Sequence, residues 1–93
     1  MDLDKITISH TDFTILSKSN CKPCNYVKEF LIENKQKINV INCDEYISCQ
    51  KDINIFLLYM EEIIGEPYGK FPMIFYNKRF IGGLNETKSM FDF

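Results

Sequence analysis

Two cysteines, two residues apart, constrain this chain more than any other feature. They sit in Ser17-Lys18-Ser19-Asn20-Cys21-Lys22-Pro23-Cys24. Before them runs an apolar stretch, Phe13 to Leu16. After them runs an amphipathic one, with Val27, Phe30 and Leu31 at i, i+3 and i+4, as on one face of a helix. A C-x-x-C pair at the junction of a strand and a helix, in a small chain, points to thiol–disulfide chemistry.

The helix end supplies the physical reason. A helix that starts at Cys21 leaves its first N–H groups without intrahelical partners, aimed at that side chain. The helix dipole adds positive potential there. Lys18 and Lys22 add full charges nearby. All three favour thiolate over thiol, and the thiolate is the nucleophile. Pro23 falls in the first turn, where its missing N–H costs little. Cys24, one turn on, is expected to be the more buried sulfur and to resolve a mixed disulfide formed at Cys21.

Ninety-three residues with 45% hydrophobic content, eight Phe and five Tyr can build one domain over residues 1–93 without disulfide staples. A formal net charge of −2 gives no footprint for nucleic acid or an anionic membrane. The longest apolar run, residues 55–60, is far short of a membrane span. The first five residues, Met1-Asp2-Leu3-Asp4-Lys5, are acidic and lack the apolar core of a secretory signal. A cytoplasmic, reducing location is therefore expected, with thiols that work rather than staple.

The pattern along the chain gives the elements. Residues 12–17 read as a first strand and residues 22–35 as a helix, with Asn34 and Lys35 suited to its end. Residues 38–43 read as a second strand, apolar enough to predict a buried parallel one. Residues 44–48 are a loop with Ser48 as the candidate N-cap of a helix over 49–64. In that helix Ile53, Phe56, Leu57, Met60, Ile63 and Ile64 form the apolar stripe, and Gly65 fits the position past its end. After a loop over 66–71, residues 73–76 and 79–81 form a hairpin around Asn77-Lys78. Gly82-Gly83 breaks the chain, and residues 85–91 form a last helix that starts near Asn85 or Thr87. The order is β-α-β-α-β-β-α: an α/β domain with a four-stranded mixed sheet flanked by helices, the layout of the thioredoxin fold.

With these residues placed, the chain resembles the glutaredoxins. Three motifs match in order: S-K-S-N-C-K-P-C, F-P-M-I-F-Y-N and I-G-G-L-N-E. The resemblance implies a glutathione-dependent oxidoreductase with Cys21 as nucleophile and Cys24 as resolving thiol. It implies glutathione as co-substrate, with disulfide-bearing or glutathionylated proteins as the other partners, and a monomer. It also implies a glutathione site. Phe71, before a cis Pro72, would pair with the tripeptide's cysteinyl unit like an added strand. Asn85 and Glu86 would hold the γ-glutamyl end, and Lys18 the glycine carboxylate. Gly82 and Gly83 would let the backbone come close to the ligand.

Two other readings use the same residues. The proline of C-K-P-C stands second, as in the C-G-P-C of thioredoxins, which allows a thioredoxin-like carrier reduced by a flavoprotein and serving, for example, ribonucleotide reductase. The absence of a Trp before the first cysteine favours the glutaredoxin side. A module that bridges an iron–sulfur cluster between two copies would use Cys21 and glutathione; the dedicated ones carry a single cysteine followed by G-F-S. A zinc site would need Cys43 and Cys49 as its second half. Their C-x5-C spacing and the place of Cys43 at a strand end argue against it. No metal is expected, and both residues are expected to stay reduced.

Overall fold

The computed structural model describes residues 6–91; the acidic start of the chain lies outside the described residues. Strand β1 (Phe13–Ser17) is buried at all five positions. It pairs in parallel with β2 (Ile38–Asn42) and antiparallel with β3 (Met73–Tyr76). Strand β4 (Arg79–Gly82) closes an antiparallel hairpin with β3, giving the sheet order β2-β1-β3-β4. The hairpin turns on Asn77 and Lys78, both left-handed at φ 50° and 67°. This pair of positive φ values matches the right-handed twist of the strands it joins.

Side chains alternate across the strands and so feed two cores. On one face Phe13, Ile15 and Ile74 meet Val27 and Leu31 of α1 (Lys22–Glu33). The short α3 (Leu84–Ser89) adds Leu84 to that face. On the other face Leu16, Met73 and Phe75 meet Phe56 and Met60 of α2 (Gln50–Ile64). Each of these fully buried apolar side chains contributes about 1.5–3 kcal/mol relative to exposure. The mixed four-stranded sheet with helices on both faces is a thioredoxin fold. Among the described residues no helix is long and apolar enough to cross a membrane.

Three local expectations need correction. Strand β2 is not a buried inner strand. It lies at the sheet edge, Asn39, Val40 and Asn42 are exposed, and it ends at Asn42. Cys43 instead opens a single 3-10 turn, Cys43–Glu45, and is fully buried there. The N-cap of α2 is Cys49, not Ser48, and its side chain makes no cap bond. Ser48 is held from within the helix, its N–H and Oγ–H donating to Asp52 Oδ2 at 3.1 and 2.7 Å. Helix α3 starts one residue earlier than expected, at Leu84, because Gly83 takes the cap position. The ends of α1 and α2 fall as anticipated: Asn34 caps α1, Lys35 turns left-handed, and Gly65 closes α2 at φ 94°.

Candidate active site

The turn from β1 into α1 carries the cysteine pair. Asn20 adopts a left-handed conformation (φ 55°) and redirects the chain. Cys21 follows as the N-cap of α1 in extended conformation, with Pro23 in the first turn and no acidic residue there. The N–H of Cys24 donates to Cys21 Sγ at 3.2 Å, so a free helix donor faces the sulfur, as the sequence predicts. Cys21 and Cys24 are joined in a disulfide, with their Cα atoms 5.3 Å apart. Cys24 is 0% exposed and Cys21 6%, so the first cysteine is the one nearer solvent. Lys18 and Lys22, close to Cys21 in sequence, are both exposed.

The loop before Cys21 is tied down by a residue that the motif reading did not include. The N–H of Ser19 donates to Asp44 Oδ2 at 2.9 Å. Hydrogen bonds from Ser19, and then the charge of Lys18, hold the Asp44 carboxyl below its ordinary range. Asp44 follows β2, and β2 runs parallel to β1. The loops that leave these two strands therefore emerge at the same end of the sheet, which is where a doubly covered sheet presents its sites. That topology was the available signal for Asp44.

Beside the disulfide lies an open groove of about 500 Å³, lined among others by Pro23, Phe71, Pro72, Gly83, Asn85 and Glu86. Four of the five residues expected to hold glutathione thus share one wall system. The fifth, Lys18, sits with Nζ 5.4 Å from the centre of the Phe71 ring. Phe71 is backed in turn by Phe56, ring centres 6.0 Å apart and nearly parallel. The Phe71–Pro72 peptide bond is cis. Glu86 Oε1 accepts the N–H of Gly83 at 3.1 Å, and the Thr87 hydroxyl donates to the Gly83 carbonyl at 2.9 Å. One oxygen of Glu86 is therefore already committed to starting α3.

The glycine pair also has a structural cause within the chain itself. A Cβ on Gly82, whose φ is 131°, would lie 2.6 Å from Glu86 Oε1 and 2.8 Å from its Cγ. A Cβ on Gly83 would lie 3.0 Å from the Tyr68 hydroxyl. Neighbouring side chains of the same molecule fill the space over both. Tyr68 is the second residue that sequence reasoning missed. It packs edge-on against Phe80 at 4.9 Å, and burial followed by the charge of Glu86 pushes its hydroxyl pKa up.

No protein-family model matches the chain, and no curated protein sequence does. Solved structures do. Glutaredoxin 1 of Francisella tularensis, in a complex with cacodylate, superposes with a TM-score of 0.72 at 23% identity, covering 86% of this chain and 91% of that one. A buckwheat glutaredoxin–glutathione complex gives 0.70 at 18% identity, over 87% and 68%. The dithiolic glutaredoxin 2-C-Grx1 of Trypanosoma brucei brucei gives 0.68 at 18% identity, over 88% and 78%. The fold is that of the glutaredoxins. On this glutaredoxin fold the remaining cysteines stand apart from the pair. Cys43 and Cys49 are free thiols, one buried and one exposed. Burial, then the charge of Asp44, pushes the Cys43 thiol up to about 12. Among the described residues no three His, Cys, Asp or Glu side chains gather as a metal site.

Proposed function

We propose that this protein is a glutathione-dependent thiol–disulfide oxidoreductase working in a reducing compartment. The observation that carries the reading is the disulfide-forming pair at the start of α1, with Pro23 between the two cysteines lining the groove of Phe71, Pro72, Asn85 and Glu86. In the reduced protein the Cys21 thiolate attacks the glutathione sulfur of a glutathionylated substrate. The substrate cysteine leaves as a thiolate, and a Cys21–glutathione disulfide forms. A second glutathione thiolate then attacks this adduct, releasing oxidised glutathione and free Cys21. With a protein disulfide as substrate, Cys24 displaces the substrate from Cys21 and the internal disulfide results. Two glutathione molecules then restore the dithiol.

The groove suits the tripeptide's chemistry. The backbone of Phe71 offers strand-like pairing to the cysteinyl unit. The N–H groups of Asn85 and Glu86 face the γ-glutamyl carboxylate, and the free oxygen of Glu86 its ammonium. Lys18 answers the glycine carboxylate.

The test is turnover of a small glutathione mixed disulfide with glutathione, NADPH and glutathione reductase. Cys21→Ser should abolish it and Cys24→Ser should spare it. Equal loss from both would contradict the assigned roles. A wild-type protein inert in this assay but reduced by a thioredoxin reductase would move the reading to the thioredoxin-like carrier.

A further inference from the structure

Next to the active-site groove lies a second, more apolar cleft of about 430 Å³. Leu57, Leu58 and Glu61 of α2 form one wall. Pro67, Tyr68 and Gly69 form the other, and these same three residues also line the active-site groove. The two depressions thus adjoin at this loop, the first reaching Pro23 between the two cysteines and the second reaching α2. Leu58 is 64% exposed at that far end, although a leucine of this size is usually covered. Among the described residues Glu61 is the one charged residue that lines the cleft, and the nearest cation in sequence, Lys70, lines the groove side instead. Glu61 and Glu62 sit in the last turns of α2, where no basic residue is present, and Glu66 follows Gly65. The carbonyl end of the helix dipole adds to that negative potential.

We propose that this cleft is a docking site for the polypeptide of a disulfide-bearing substrate. An extended segment runs from the cysteine engaged at Cys21, along the groove, and places an apolar side chain against Leu57 and Leu58. A Lys or Arg beside that side chain meets Glu61. The proposal rests on the oxidoreductase reading and assigns the substrate class of the same site: apolar–basic flanking sequence for protein disulfides. The chemistry is unchanged. Cys21 forms a mixed disulfide with one substrate sulfur and the other leaves as a thiolate. Cys24 then displaces the first, so two electrons pass from the dithiol to the substrate disulfide. None of the residues assigned to glutathione lines the far cleft, so the two substrate types separate there.

The test uses the full chain, reduced, in stopped flow without added glutathione. Cysteine peptides capped on sulfur with nitrothiobenzoate release that coloured thiolate when Cys21 attacks the peptide sulfur. One set carries Leu and Lys at successive positions on either side of the cysteine, and the other carries Ser and Asp. Glutathione capped in the same way is the control. The best Leu–Lys peptide should react about tenfold faster than its Ser–Asp counterpart, the effect of burying one aliphatic side chain. Leu58→Glu should bring this ratio to within about twofold while leaving the glutathione control within about twofold. Leu58→Gln serves the same purpose should the acidic variant fail to fold. A wild-type ratio near one overturns the proposal, as does a folded variant that keeps the preference or loses both reactions equally. Sedimentation showing a dimer that Leu58→Glu dissolves would give the cleft to a second copy and also overturn it. Failure of the glutathione control in the wild type would instead strike the oxidoreductase reading itself.

Discussion

Replacing Gly82 by alanine probes the joint between β4 and the site. The backbone there has φ 131°, a region that side-chain-bearing residues enter at a cost of about 1–2 kcal/mol. The new methyl would also sit 2.6 Å from Glu86 Oε1, 2.8 Å from its Cγ and 3.0 Å from its Cβ. The outer atoms of Glu86 can swing aside, but its Cβ is fixed by α3. Swinging aside gives up the bond to the Gly83 N–H, about 0.5–1.5 kcal/mol for an exposed acceptor. The sum is about 1.5–3.5 kcal/mol, which for a domain of this size lowers Tm by roughly 6–28 °C. Thermal unfolding followed by circular dichroism measures it. The double variant Gly82→Ala with Glu86→Ala removes the two shortest contacts, to Oε1 and Cγ, and leaves only the one to Cβ, so it should be less destabilised than the two single variants added together. A Gly82→Ala protein melting within about 2 °C of the parent, or strict additivity in the double variant, would refute the reasoning.

Three further outcomes are expected. In reduced native protein at pH 8, iodoacetamide should modify Cys21 and Cys49 but leave Cys43 untouched until denaturant is added, because the Cys43 thiol is buried and raised to about 12; mass spectrometry of the labelled peptides reads this out. Asp44→Asn should loosen the loop ahead of Cys21 and slow turnover by about two- to fivefold, the usual scale for losing one positioning contact at a surface. The Asp44 carboxyl is held below its ordinary value of 3.8, so its stabilising effect is complete above that pH and is lost as pH falls through the lowered native value; the stability difference between parent and variant should vanish in acid, and a difference persisting there would contradict the tether. Phe56→Ala, at a fully buried position stacked behind Phe71, should cost about 3–5 kcal/mol, measured as a drop in urea midpoint, and a loss under about 1 kcal/mol would show that the core closes over the gap.

The element order was legible because each signal had one local cause. The C-x-x-C pair marked a helix start, Gly65 a helix end, and the Asn77-Lys78 pair a hairpin. The buried stripe on α2 is narrower than its periodicity predicts: Phe56 and Met60 are buried, but Ile63 is 41% exposed. Strand β2 was misjudged because Ile38, Val40 and Ile41 outweighed Asn39 and Asn42 in the reading. An asparagine on each face of a short strand suits a sheet edge, where no neighbour demands apolar cover. The cysteines and the groove residues could be picked out because motifs mark them. Asp44 and Tyr68 could not, since each acts through a partner far away in sequence, Ser19 for one and Gly83 with Glu86 for the other. Only the parallel pairing of β1 and β2, or the folding of the 66–71 loop over the glycine pair, brings those partners together.

In the proposed reaction the residue that caps the start of α1 is also the one that reacts. A single sulfur satisfies a backbone donor of the first turn and is held in the disulfide, and the proposed chemistry has it exchange that covalent partner. Each change of partner therefore alters how that turn is anchored, and the frame registers the state of its own chemistry at the amide of Cys24. That proton's resonance is a reporter already built into the chain, one that distinguishes thiolate, internal disulfide and adduct without any added label.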